Sequence, residues 1–177
     1  MPAFNPYVHT NDSYVQDNDL SVYALNPFIC ITDRTQEDVD RVKYLTEVIL
    51  AGTNTEEEWT EFTQDLKGAL NYSDLERIEY NLNLLSVLLQ IPLVSMERDT
   101  IPRIPYFKNL LINVKRIRDS FYRLSTTPLT PNMPLNTYGK INDIERILRD
   151  AYSVRMRNSL RYMYCGTELY ADGNEIL

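Results

Sequence analysis

The 177-residue chain is poor in the residues on which most catalytic and metal sites depend. It has one histidine, His9, and two cysteines, Cys30 and Cys165, which form no Cys-x-x-Cys or Cys/His cluster. A nucleophilic triad needs a histidine with an orienting carboxylate, and a metal site needs its ligands at set spacings. Neither arrangement occurs, and neither does a phosphate-binding loop, a dinucleotide fingerprint or a nucleophile elbow. We therefore predict a protein that is not an enzyme and has no catalytic residues, cofactor, metal or small-molecule substrate.

Glycine and long apolar runs are scarce as well. Five glycines in the whole chain argue against a glycine-rich nucleotide-binding sheet protein. No run of 18 apolar residues occurs, and residues 1–5 are neither basic nor apolar, so we predict neither a membrane span nor a secretory signal. Two isolated cysteines are typical of reduced thiols in a protein made in the cytoplasm.

The net charge of −7 hides a division along the chain. Residues 1–100 carry 6 Lys and Arg against 18 Asp and Glu, a net charge of −12, whereas residues 101–165 carry 12 against 4, a net charge of +8. Such a division suits head-to-tail contact between copies, two solvated faces, or a match between the halves of one molecule. Nucleic-acid binding at the basic 101–165 region is a further alternative, although no recognised nucleic-acid module accompanies it.

What the chain has in plenty is helical pattern. One five-residue motif (aspartate, aliphatic, acid, arginine, aliphatic) occurs at Asp38–Val42, Asp74–Ile78 and Asp143–Ile147. On a helix its two aliphatics share the buried face, and we expect its acids and arginine at the edge or in solvent. With the capping and breaking signals, the pattern predicts an all-α protein, a small bundle of about five helices over residues 32–164. The predicted starts are Thr35, Thr55, Ser73, Pro105 and Thr137. Trp59 should face inward from the second helix, and Gly68 should end that helix.

The two ends of the chain lack a core of their own. Residues 1–31 are rich in Asn, Asp, Pro and Tyr without helical or alternating period, and we predict an extended arm that lies on its own bundle or on a neighbouring subunit. Residues 165–177 should form a tail with a short strand or hairpin, because Cys165-Gly166 interrupts the fifth helix. The partner-binding residues we predict are the arm aromatics, the arginines of the fifth helix and the apolar residues of the tail: Phe4, Tyr7, Tyr14, Tyr23, Phe28, Arg149, Arg155, Arg157, Arg161, Tyr164, Leu169 and Tyr170.

Four segments in fixed order resemble a known group of proteins. They are Ile31–Leu45, with Thr32-Asp33-Arg34-Thr35-Gln36, then Lys67–Asn81, Leu135–Leu148 and Tyr164–Tyr170. Over about residues 31–170 the chain is similar to helical modules of tail-associated or minor structural virion proteins from tailed phages and prophages of Gram-positive bacteria. The aromatic arm has no counterpart in that resemblance, which brings no catalytic residues with it.

The resemblance implies a virion component, assembled in the host cytoplasm, whose partners are other virion proteins and copies of itself. We expect a non-enzymatic assembly protein of the phage tail or the head-tail junction, acting through contacts between subunits. The alternative is a small cytosolic adaptor or inhibitor that binds one protein through the basic surface of the fifth helix. Neither interpretation involves a membrane.

Overall fold

The computed structural model describes the backbone of residues 28–97 and 102–175, and the side chains of these residues as far as Asn158. This part of the chain contains no strand and forms five helices: α1 Gln36–Leu50, α2 Glu56–Phe62, α3 Tyr72–Leu89, α4 Ile104–Ser120 and α5 Tyr138–Glu175. The predicted all-α helical bundle is therefore confirmed.

The first two helices begin where their sequence signals place them. Thr35 and Thr55 are N-caps in reciprocal capping boxes, with Asp38 and Glu58 as the returning acids. The predicted cap of the third helix, Ser73, is wrong. That helix begins at Tyr72, with Asn71 as its N-cap two residues earlier, because Asp74 is the returning acid of a capping box and accepts the backbone N–H of Asn71 at 3.0 Å.

The core is built from α3, α4 and α5, which point the same way. For α4 and α3 this follows because Tyr106 near the start of α4 donates to Glu79 in the middle of α3, and Arg116 near the end of α4 donates to the carbonyl of Pro92 just after α3. The first turns of α3 meet the first half of α5, where Arg77 Nη2 lies 2.8 Å from Glu145 Oε1. Farther along both helices Arg155 Nε donates to the carbonyl of Leu88 at 3.0 Å. Their inward faces form one cluster: Leu75, Ile78, Leu82, Leu85, Tyr106, Leu110, Leu111, Val114, Ile117, Ile141, Ile144, Ile147, Leu148 and Ala151.

Helices that point the same way need connections that return along the bundle. The described part of the first connection, residues 90–97, runs back along α4, where buried Asn113 binds both the N–H and the carbonyl of Val94 at 2.7 and 2.9 Å. The second, residues 121–137, lies between α4 and α5. Arg118 Nε donates to the Pro128 carbonyl at 2.6 Å, and Thr127 donates to Asp150 Oδ2 at 2.8 Å. Extended chain therefore covers the sides of this three-helix core.

The pair α1–α2 is an antiparallel hairpin beside the core. It is joined by exposed polar contacts, Arg41 to Glu61 at 2.6 Å and Tyr44 to Glu58 at 2.8 Å. Leu45 is its one buried apolar side chain. The prediction that Trp59 faces inward is wrong, since half of this side chain is exposed. A seven-residue helix against one partner has too little buried face to cover an indole.

Two sequence signals for chain breaks are also wrong. Gly68 was expected to end α2, but α2 ends at Phe62 and Gly68 instead presses against the first turn of α1. The extended or β tail expected for residues 165–177 is helical as far as Glu175, because α5 continues through Gly166. Gly173 also lies within α5, but each glycine costs a helix only about 1 kcal/mol, and no proline follows to stop it. With 38 residues α5 is about 57 Å long and passes the end of α3.

Candidate interaction site

A buried guanidinium fixes the first described residues of the chain to the bundle. Arg34 precedes the N-cap of α1, and its side chain is 3% exposed. Its Nη2 lies 2.9 Å from Asp74 Oδ1 on α3, and its Nη1 lies 3.0 Å from Glu145 Oε1 on α5. Arg34 therefore links an extended segment to two core helices that lie far away in sequence.

Arg77 completes a buried ion network. Its Nη2 lies 2.6 Å from Asp74 Oδ1 and 2.8 Å from Glu145 Oε1, so each carboxylate contacts both guanidiniums. Two positive and two negative charges make the cluster neutral, which is the condition under which buried charge is tolerated. Burial lowers the pKa of Arg77, but the hydrogen bonds that Arg77 donates to Glu145 and Asp74 outweigh it, so the pKa is raised.

The network corrects one expectation about the repeated motif. Its acids were expected at the helix edge or in solvent, but Asp74 is buried and Glu145 is fully buried. Arg34, which pairs with both of these acids, lies outside all three copies of the motif, so the motif alone does not reveal the pairing. The aliphatic pairs Leu75 with Ile78 and Ile144 with Ile147 are buried as expected.

Polar side chains also hold the backbone of the segment 28–34. Asn81 Nδ2 donates to the Ile29 carbonyl at 2.7 Å, and Glu145 Oε2 accepts the Ile31 N–H at 2.6 Å. Asn142 binds both backbone groups of Arg34, accepting its N–H at 3.3 Å and donating to its carbonyl at 2.9 Å. We call residues 28–34, with these partners, the arm anchor. The sequence placed Phe28 to Ile31 in the arm, and here they already contact α3 and α5.

Phe28 is the one predicted arm aromatic among the described residues. Its ring stacks on Tyr152 of α5, with centroids 4.1 Å apart and planes 5° apart. The other arm aromatics, Phe4, Tyr7, Tyr14 and Tyr23, lie outside the described residues. So do the side chains of Arg161, Tyr164, Leu169 and Tyr170.

The arginines of the predicted basic surface whose side chains are described differ in their exposure and in their contacts within the molecule. Arg155 donates to the Leu88 carbonyl and is partly buried, so it holds α5 to α3. Arg149 is exposed, donates to Thr32 Oγ1 at 3.2 Å and lies 3.6 Å from Asp150. Arg157 is exposed. The structure therefore ties Arg149 and Arg155 to the anchor and the core, and leaves Arg157 facing solvent.

Cys30 lies within the arm anchor as a free thiol. Burial, with a smaller contribution from Glu145, raises its pKa to about 12. Because the thiolate is the reactive form, we expect Cys30 in a Cys165→Ser chain to react with a disulfide reagent at pH 8 about a hundredfold or more slowly than an ordinary thiol. Stopped-flow labelling of the folded chain, with the urea-unfolded chain as control, measures this. Equal rates in both states would show that the anchor does not protect Cys30.

The sequence analysis did not predict the arm anchor, although it singled out some of its residues. Asp74 and Glu145 were noted as motif acids, but nothing in the local pattern separates a buried motif acid from the exposed acid Asp40. Arg34, Asn81 and Asn142 carry no helical or capping signature. The one usable signal is Arg34 itself, a cation directly before a helix N-cap, where the helix dipole disfavours positive charge.

No helix in the described residues has a stretch apolar and long enough to cross a bilayer. Among residues 28–97 and 102–158, no three His, Cys, Asp or Glu side chains are grouped to hold a metal ion. No family model, curated protein or solved structure matches the chain.

Proposed function

We propose that this chain is an assembly protein of a tailed-phage particle, a component of the tail or the head-tail junction whose N-terminal arm contacts neighbouring subunits. The observation that carries the proposal is the arm anchor. A network of four charged side chains and two asparagines fixes residues 28–34, which directly follow the arm in the sequence.

The free-energy cost of burying the charges of the arm anchor supports a role in positioning the arm. Removing two arginines and two carboxylates from water costs several kcal/mol per ion before their mutual attraction is counted. Hydrophobic residues of similar volume would often hold the same segment at least as well. What buried polar groups add is a fixed register, because each hydrogen bond accepts only one placement of the backbone. A fixed exit point for the arm is useful if the arm has to reach a particular neighbour.

The charge distribution supports contact between copies. The exposed face of α1–α2 is acidic, with Glu56, Glu57 and Glu61 along one side of α2. The outward cations of α4 lie on the other half of the chain. Complementary surfaces steer association and set its register, and repetition around a ring multiplies modest contacts by avidity.

Deleting residues 1–27 tests the proposal. We expect the shortened chain to keep its helical circular dichroism and a cooperative melt, because the anchor and the core are intact. We also expect the full chain to form a discrete oligomer at low salt and the shortened chain not to form it. Light scattering after size exclusion, at low and moderate salt, gives the mass of both chains.

A second truncation separates assembly from stability. Deleting residues 1–34 also removes the anchor, and should lower the melting temperature as well as abolish assembly. If the chain without residues 1–27 assembles like the full chain, the arm does not connect subunits. If it loses its fold, those residues belong to the core and the proposal is wrong.

The adaptor alternative has less support from the structure. It relies on the basic face of α5, yet Arg149 and Arg155 already have contacts within the molecule. A full-length chain that is a 20.7 kDa monomer at both salt concentrations would favour the adaptor. Charge reversal at Arg157, which is exposed, would then abolish binding to its single partner.

A further inference from the structure

A groove of about 700 Å³ lies between α4 and the connection 121–137, away from the arm anchor. Apolar side chains line part of it, among them Leu111, Ile112 and Met133. Ile112 and Leu129 at its edge are exposed large hydrophobic residues, which a lone helical core would be expected to cover.

The polar rim of this groove is basic. Lys108, Lys115, Arg118 and Arg123 line it against one acid, Asp119, so its net charge is +3. Lys115 and Arg118 share Asp119 as an ion-pair partner. Within the described part of the chain, Lys108 and Arg123 have no ion pair. The groove thus combines apolar lining residues with two cations that form no ion pair within the described residues.

We infer that this groove receives the N-terminal arm of a second copy of the chain. The inference rests on the proposed function and names the surface that the arm would contact. Residues 1–27 contain no Lys or Arg and carry Asp12, Asp17 and Asp19, a net charge of −3 that matches the groove in size and is opposite in sign. Tyr14 lies between Asp12 and Asp17 in the sequence and Leu20 follows Asp19, so a basic rim with an apolar floor fits both kinds of side chain.

The arm anchor and the groove lie on different parts of the bundle. The anchor lies between α3 and α5, and its first residue, Phe28, stacks on Tyr152 of α5. The groove lies on the outer face of α4 and on the connection 121–137. A second copy is the occupant that the proposed function requires, and the arm of one copy in the groove of the next is a head-to-tail contact, which closes into a ring or continues as a filament.

Extended arms bind by few anchors, so the contact should depend on charge and on repetition. Aromatic side chains in apolar pockets supply most of the energy of such contacts, and opposite charges supply steering and register. A single arm in a groove is a weak contact. In a closed ring every copy contributes one arm and binds one arm, so the weak contacts act together.

A charge swap in the full-length chain tests the inference. One variant, Lys108→Glu with Arg123→Glu, makes the groove acidic. The other, Asp12→Lys with Asp17→Lys, makes the arm basic. Each variant alone presents like charges to itself, so we expect its dissociation constant to rise at least about tenfold. An equimolar mixture should assemble again, because the acidic arm of the first fits the basic groove of the second and the reverse. Light scattering at low salt gives the masses.

The control variant Lys43→Glu with Arg157→Glu makes the same change in net charge at two exposed residues of α1 and α5, outside the groove, and should assemble like the unchanged chain. If the groove variant still assembles, or if the mixture fails to recover, the groove does not receive the arm. In that case the deletion of residues 1–27 still decides separately whether the arm connects subunits. A full-length chain that is monomeric at both salt concentrations overturns a second copy as the occupant.

Discussion

Replacing Glu145 by glutamine is expected to lower the free energy of unfolding by about 3–5 kcal/mol, a large part of the about 5–15 kcal/mol that stabilises a typical domain. The Glu145 carboxylate is fully buried and accepts hydrogen bonds from the Ile31 N–H, from Arg34 and from Arg77. An amide of the same size removes the negative charge and leaves the guanidiniums with one carboxylate between them. It also turns an N–H group toward donors that need an acceptor.

Urea unfolding followed by circular dichroism measures the change, and Glu47→Gln is a matched control. Glu47 lies on the exposed side of α1, where such a replacement should change the stability by no more than about 0.5 kcal/mol. If both variants lose equally little, the buried network contributes no more than a surface contact. If Glu145→Gln unfolds at a lower urea concentration but still in one cooperative transition, the arm anchor and the core unfold together as one unit.

Replacing Gly68 by alanine is the second large expected loss, about 3 kcal/mol, at the upper end of what overpacking usually costs. A Cβ at Gly68 would overlap the carbonyl group of Asp38 and lie 2.6 Å from the backbone nitrogen of Val39. These are backbone atoms in the first turn of α1, so no side-chain rotation relieves the overlap. The segment after α2 must move away from α1, and the Lys67 to Asp33 ion pair should open with it.

Gly139 provides a control of opposite sign. It lies in the first turn of α5 with open space around its Cα, and Gly139→Ala should stabilise the chain by about 0.5–1 kcal/mol through helix propensity. Thermal melts of the two alanine variants should therefore shift in opposite directions. A Gly68→Ala chain as stable as the unchanged protein would mean that α1 does not lie against this segment in solution.

The sequence predicts the helices well, because their signals are local. The capping boxes at Thr35 and Thr55 need only residues within one turn, and the inward faces of α3 and α5 follow from period alone. The errors at Ser73 and Gly166 arise where two local signals compete. A capping box could begin at Asn71 or Ser73, and one glycine can end a helix or be tolerated within it.

The arm anchor could not be predicted, because it joins residues that no local pattern connects. Arg34 and Glu145 are 111 residues apart, and Arg77 and Glu145 are 68 apart. Trp59 failed for a related reason, since a helical period shows which residues share a face but not whether another element covers that face. The direction of α4 relative to α3 depends on the path of the connection after Leu89, which three prolines mark only as irregular.

The sequence separation within the arm anchor also sets the order of events during synthesis. The segment 28–34 is complete long before Asn142 and Glu145 are made, and its contacts with α5 close loops of more than 100 residues. Closing a loop of this length costs conformational entropy that only a formed partner surface can offset. A nascent chain can therefore build α1, α2 and α3 while the segment is still unattached to α5. The arm anchor is therefore completed among the last steps of folding, after the helices of the bundle have formed.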